Sequence, residues 1–251
     1  NTSFLPKKWY LKYLTKKLKN YELDVLNSYD YLIAVSDRDL QKFKKLGYKN
    51  GAMASPIGLE MKNYVTIPIK HENSICFIGA LDWMPNREGL DWFLKNVWPN
   101  LSQQNPDLKF YVAGRNTPDE LLNVNIPNVK IMGEVPDAVD FINKHTLMIV
   151  PLFSGSGMRV KILEGMALKK AIVTTTLGKE GIEAENGKHI LVADTPQEFA
   201  NAIVRALNDK TLQQTIGNNA FEFVKEYYDH SSIAEKLIEK YQHLLASPHH
   251  H

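Results

Sequence analysis

Residues 151–167, PLFSGSGMRVKILEGMA, pass from an apolar stretch through Ser154-Gly155-Ser156-Gly157 into a helix-like stretch bearing Arg159, Lys161 and Glu164. Glycines let backbone N–H groups come close to a phosphate, and a helix start adds partial positive charge. Lys161 and Glu164 are three apart and share a helix face, while Ile162, Leu163, Met166 and Ala167 form the face to be buried. Lys161 can reach a phosphate oxygen there, and Glu164 can accept from ribose hydroxyls. The same spacing also fits a solvated Lys161–Glu164 pair worth ~0.2–0.5 kcal/mol. Spacing alone leaves both readings open.

Other loops offer weaker chemistry. In Asp82-Trp83-Met84-Pro85-Asn86-Arg87, Asn86 reads first as the N-cap of the next helix, and second as a group facing the same crevice, alone or with Arg87. Gly114-Arg115-Asn116-Thr117-Pro118 has turn composition, but a turn does not require Arg115, which a phosphate or carboxylate would explain. Gly133-Glu134-Val135 fits a plain turn or an edge presented to a nucleobase. Leu177-Gly178-Lys179-Glu180-Gly181 has turn composition and is of interest for its position.

The elements that hold these loops alternate. Apolar runs at 74–81, 108–114, 128–135, 147–153, 171–176 and 189–194 read as strands. Helical patterns at 87–101, 118–123, 137–143 and 158–168 lie between most of them, and the fifth and sixth strands share a short loop. This order predicts an α/β, Rossmann-like doubly wound parallel sheet covered on both faces. Ligands of such sheets collect at the carboxyl ends of the strands, where all these loops lie. After residue 195 the chain reads as three helices. Before residue 57 stand a helix (7–27), a strand (29–36), a helix capped by Ser36 (37–46) and a short run (50–55). Two strands make no stable sheet alone, so this piece reads as the end of another domain, and a homodimer through its strands is a further expectation. The expected division is 1–57 as that remnant, 58–73 as linker, 74–230 as the Rossmann-like domain, 231–246 as a helix packing toward the first piece, and 247–251 as a tail.

Composition removes whole classes of function. A net charge of +2 gives no field that argues for nucleic acid. No apolar run approaches the ~20 residues of a membrane helix, and nothing resembles a signal peptide. The single cysteine, Cys76, cannot form an internal disulfide and reads as a buried thiol in a reducing cytoplasm. The eight histidines show no metal spacing; His71, His145, His189 and His230 stand alone, and His249–His251 read as the stub of a purification tag. The first strand and its helix lack GxGxxG, and neither a Walker loop nor a Gly-x-Ser-x-Gly elbow is present, which argues against an oxidoreductase, a P-loop nucleotidase and a serine hydrolase.

The stretches FIGALDWMPNREGLDWFLKNVWP, FYVAGRNTP, VKIMGEV and PLFSGSGMRVKILEGMALKKAIVTTTLGKEGI together resemble the C-terminal half of family 4 (group 1) glycosyltransferases of the GT-B fold, over about residues 29–245. The most specific part is Gly157 to Ala167 followed by Gly178-x-Glu180-Gly181. The resemblance implies that residues 29–50 end an acceptor-binding domain, most of which precedes this chain. It implies catalytic roles for Lys161, Arg159 and Glu164, the cations neutralising the donor's diphosphate and Glu164 holding the ribose. Gly155, Ser156 and Gly157 would cradle the diphosphate, faced by Asn86. Arg115 joins the substrate-binding set; Gly133, Glu134 and Val135 would lie near the base, and Gly178, Glu180 and Gly181 by the sugar and diphosphate.

As a whole, the resemblance implies transfer of a hexose-type sugar from a nucleotide-diphospho-sugar to a glycan or lipid-linked acceptor, with retention and with no metal or other cofactor. It suggests bacterial cell-surface polysaccharide assembly, in the cytoplasm or peripheral at the inner face of the membrane. This chain alone would bind nucleotide and transfer little sugar. Ser156 stands where many relatives carry the glutamate that touches the donor sugar, and Pro56-Ile57-Gly58 lacks the family's Asn. The alternative expectation is a non-catalytic nucleotide-sugar-binding module, with Ser156 marking lost chemistry.

Overall fold

The computed structural model describes residues 4–67 and 71–246. The expected tail, 247–251, lies outside the described residues, as do residues 1–3 and 68–70. The chain divides into two compact units, Asn1–Pro56 and Ile57–His251.

The smaller unit holds α1 (Phe4–Val25), β1 (Tyr31–Ala34), α2 (Asp37–Lys45) and β2 (Gly51–Ala54), with β1 and β2 paired in parallel. Ser36 caps α2 as its residue type predicts: its hydroxyl accepts from the Asp39 amide at 3.1 Å. Leu18, Leu23, Leu26, Phe43 and Leu46 line an apolar groove between α1 and α2.

The larger unit is built on six parallel strands. In chain order its elements are β3 (His71–Ile78), α3 (Met84–Asn96), α4 (Trp98–Gln104), β4 (Lys109–Ala113), α5 (Asp119–Leu122), β5 (Val129–Ile131), α6 (Ala138–Asn143), β6 (His145–Val150), α7 (Val160–Ala167), β7 (Ala171–Thr174) and β8 (Leu191–Val192). Three closing helices follow: α8 (Pro196–Asn208), α9 (Lys210–Tyr227) and α10 (His230–Ala246). The strand order is β5-β4-β3-β6-β7-β8. From β3 the chain winds outward to β4 and β5, and from β6 it winds the other way. The reversal opens a crevice beyond the carboxyl ends of β3 and β6.

Successive strand residues point to opposite faces, and both faces are covered, so the central strands carry continuous apolar runs, 75–78 in β3 and 147–150 in β6. Ile75 and Phe77 of β3 and Leu147 and Ile149 of β6 join the core under α3, α4 and α8, with Phe93, Trp98 and Phe199. Cys76, Met148 and Val150 join the opposite core, with Ile162, Leu163 and Met166 of α7 and Ala220 and Val224 of α9. The buried face expected for α7 is the observed one. Cys76 is buried, and burial pushes its thiol up to about 12.

Several expected elements change. The helix expected over 87–101 is two helices, because Pro99 has no N–H to donate to the preceding turn and α4 starts afresh at Trp98. The expected strand 189–194 shrinks to Leu191–Val192, which pairs on one side only.

Candidate functional site

The crevice is closed at its base by one side chain. Lys161, in the first turn of α7, reaches across to the end of β3, where its ammonium donates to the Ile78 carbonyl at 3.0 Å and to Asn86 Oδ1 at 2.6 Å. Asn86 in turn donates through Nδ2 to the Ala80 carbonyl at 2.8 Å. The reach is possible because residue 79 is glycine: a Cβ there would lie 2.6 Å from the Lys161 nitrogen and 2.7 Å from Asn86 Nδ2. A second close approach holds the two loops together, since a Cβ on Gly89 of α3 would lie 1.7 Å from the Pro151 carbonyl oxygen.

These contacts correct two expectations. Asn86 is not an N-cap. The helix begins at Met84 ahead of it, with Pro85 in its first turn, and the 3% exposed amide serves Lys161 instead. The solvated Lys161–Glu164 pair is also absent, because the ammonium turns inward to the strand end. Burial brings Lys161 down to about 7; the Arg159 charge adds to the shift and Glu164 opposes it.

Above Lys161 lies the Gly-Ser-Gly loop. Gly155 and Gly157 adopt φ of +89° and +91°, which glycine takes without strain. The helix starts at Val160 and not at Met158, because Gly157 is left-handed and Arg159 is itself non-helical. Gly155, Ser156 and Gly157 are exposed. Ser154 ties the loop to α3 by donating to Glu88 Oε2 at 2.5 Å. Arg159 is buried, with its guanidinium 5.7 Å from the centre of the Trp83 ring. Its Nη1 donates to the Ser156 carbonyl at 2.7 Å, but Nε and Nη2 are buried with no hydrogen-bond partner among the described residues. Burial holds its pKa below the ordinary arginine value. A buried, unpaired, charged donor costs on the order of 1–3 kcal/mol or more, a cost that a bound anion relieves.

One turn after Lys161, Glu164 is half-buried and its Oε1 accepts from the Tyr64 hydroxyl at 3.2 Å. Burial first, then the Glu164 charge and this hydrogen bond, push that hydroxyl up to about 12. Gly178 and Gly181 follow β7. The Gly178 amide donates to Thr175 Oγ1 at 3.0 Å, and a Cβ on Gly181 would lie 3.8 Å from the Met158 Cα. Glu180 is half-buried beside them. Asn86, Arg159, Lys161, Glu164, the Gly155–Gly157 loop and the Gly178–Gly181 loop therefore stand near one another beyond the carboxyl ends of β3, β6 and β7.

Arg115 and the Gly133–Val135 edge stand further out along the same carboxyl edge. Arg115 and Glu134 are exposed, and Val135 is half-buried. Gly133 accepts from the Gly114 amide at 2.8 Å. Asn116 ties its loop to the first one by donating to Asp82 at 2.9 Å. Sequence reading missed Gly79, Trp83, Glu88 and Tyr64. Gly79 carried a signal, as a glycine at the end of an apolar strand run. Tyr64 carried none, because its partner is 100 residues away. Among the described residues no group of three or more His, Cys, Asp or Glu could hold a metal.

The family model described as glycosyl transferases group 1 matches residues 72–209. An uncharacterized 44.6 kDa protein in the cps region of Klebsiella pneumoniae is 25% identical over 93% of this chain and 62% of its own length. The capsular polysaccharide biosynthesis glycosyltransferase CapM of Staphylococcus aureus is 26% identical over 51% of this chain and 34% of its own. Among solved structures, sucrose-phosphate synthase of Thermosynechococcus elongatus superposes with a TM-score of 0.72 at 18% identity, over 90% of this chain and 61% of that one. Anabaena Alr3699/HepE, in complex with UDP and glucose, gives 0.70 at 17% identity, over 89% and 66%. The doubly wound sheet expected from the sequence is the fold they share with this chain, which spans about three fifths of the length of the first relative.

Proposed function

The chain belongs to the glycosyl transferases group 1 family, and from that premise we propose that its larger unit is the donor-binding half of an enzyme that transfers a hexose-type sugar from a nucleotide-diphospho-sugar to a glycan or lipid-linked acceptor. The observation that carries this reading is the cationic floor of the crevice: Lys161 desolvated at the end of β3, and Arg159 with two buried donors unpaired. The diphosphate lies on the Gly155–Gly157 loop against both cations, with Asn86 holding Lys161 in place. Glu164 accepts from the ribose. The Gly133–Val135 edge faces the base, Arg115 stands near it, and the Gly178–Gly181 loop lies by the sugar.

In the transfer, the bond from the anomeric carbon to the diphosphate breaks as the acceptor hydroxyl's oxygen bonds to that carbon, with retention, and the hydroxyl's proton passes to the leaving diphosphate. Negative charge grows on the leaving diphosphate, where Lys161 and Arg159 stabilise it without a metal. Losing one such preorganised contact costs ~10²–10³ in rate. Capsule or other bacterial surface-glycan assembly is the setting that the named relatives support, and we infer that it takes place in the cytoplasm or at the inner face of the membrane. Residues 1–57 belong to an acceptor-binding domain, and this chain alone binds nucleotide and transfers little sugar.

The test is thermal unfolding with UDP, GDP or ADP, beside Lys161→Ala. A ligand at about 100 times its Kd adds ~2.7 kcal/mol, a rise of roughly 5–11 °C for a unit of this size. Stabilisation by one diphosphate, lost in Lys161→Ala, is the expected result. A folded sample that responds to none of them refutes the reading.

A further inference from the structure

Residues 57–67 form a strap along the larger unit, anchored on both sides of Tyr64. Before it, Leu59 is buried, donates to the Tyr228 carbonyl at 2.7 Å and accepts from the His230 amide at 2.9 Å. Gly58 is pressed so near that a Cβ there would lie 2.8 Å from the His230 Cα. After it, one side chain of α6 grips the strap from both ends of its amide. Asn143 donates to the Val65 carbonyl at 2.9 Å and accepts from the Ile67 amide at 3.4 Å. Asn143 is itself fixed, because the buried Lys170 ammonium donates to its carbonyl at 2.9 Å. Met61 and Tyr64 pack against the core beneath α7. The Tyr64 backbone is therefore held at both sides, and its hydroxyl is delivered to Glu164 Oε1 from a fixed base.

We propose that Tyr64 is a positioning residue for Glu164. It holds Oε1 of the carboxylate and so aims Oε2 at the ribose hydroxyls, which makes the strap a determinant of the preference for a ribonucleotide. This rests on the ribose role proposed above for Glu164. A carboxylate on a helix is free to rotate about its terminal bond, whose well is broad. A hydrogen bond to one oxygen fixes that rotation and leaves the other oxygen as a directed acceptor. Tyr64 touches no ligand in this scheme, so its loss weakens recognition of the hydroxyls and spares the diphosphate contacts.

The experiment compares the best-binding nucleoside diphosphate of the UDP, GDP and ADP panel with its 2′,3′-dideoxy counterpart, by calorimetry, on the whole chain. The ratio of the two affinities isolates the hydroxyl contact. Tyr64→Phe removes one hydroxyl and keeps the packing; it is expected to reduce the ratio about five- to tenfold, a loss in the range of one ordinary hydrogen bond, with dideoxy affinity unchanged. Glu164→Ala is expected to abolish the ratio. If Tyr64→Phe keeps the wild-type ratio, or weakens both ligands equally, the positioning role is overturned while the ribose role stands. If Glu164→Ala also keeps the ratio, or no diphosphate binds, the ribose reading itself fails.

Discussion

Nucleotide binding should take up a proton, because the Lys161 ammonium is held at about 7 by burial. At pH 8 only about a tenth of ligand-free molecules then carry that charge. A diphosphate placed against it draws the pKa back toward the ordinary lysine value, ~10.4. Binding at pH 8 should therefore absorb about 0.9 proton. Between pH 7 and pH 9 the charged fraction falls from about one half to about one hundredth, so affinity should weaken about 50-fold, or about 2.3 kcal/mol. The ligand does not mask this, since a phosphate's second ionisation, at ~6, is complete across the window. Calorimetry at pH 8 in two buffers of different ionisation heat reads the proton directly. Lys161→Arg, whose charge is fixed, should bind with a flat profile. The same group sets the sign of the ligand-free stability. Its folded pKa is lowered, so the unfolded chain binds more protons between about 7 and the ordinary lysine value. Stability should rise with pH through that window, and Lys161→Met should flatten the rise. An affinity that changes less than about threefold from pH 7 to pH 9 in the wild type, or no proton uptake, would refute the placement of this ammonium at the diphosphate.

Two glycine substitutions separate the site from the scaffold. In Gly79→Ala the new methyl meets the far ends of the Lys161 and Asn86 side chains, which can shift, and no backbone atom; the melting temperature should change little, while diphosphate affinity falls tenfold or more in titration. In Gly89→Ala the methyl meets the Pro151 backbone at 1.7 Å, which cannot yield. Overpacking of this kind costs about 3 kcal/mol or more, so the melting temperature should fall by roughly 6–12 °C in calorimetric scans.

The sheet was legible because a strand buried on both faces must carry a continuous apolar run, and β3 (75–78), β4 (110–113), β6 (147–150) and β7 (171–173) each do. Strand ends were less legible, since they depend on where a neighbour stops. The run 128–135 yields a strand of only Val129–Ile131, because Gly133 turns left-handed at φ +68° just beyond it. The Gly-Ser-Gly loop and the three charges of α7 stood out by type and spacing. What the charges do there did not, because Lys161 could face water or the strand end from the same helical position. That choice is made by Gly79 and Asn86, more than seventy residues away.

The cations of the site are costly to the ligand-free chain, and this is what ties binding to stability. Lys161 sits desolvated with its pKa brought down to about 7, and Arg159 keeps two buried donors without a partner among the described residues. A core built for stability alone would have paired or removed both groups. A single bound anion can relieve both at once, since Lys161 and Arg159 lie two residues apart at the start of α7 and the loop above them is held open by Gly155 and Gly157. Tyr64 extends the same logic to the third group. The strap is fixed before any ligand arrives, so the ordering of Glu164 belongs to folding and does not weaken binding. The crevice is thus preorganised in geometry and unsatisfied in charge, a combination that favours an anionic ribonucleotide over a neutral one.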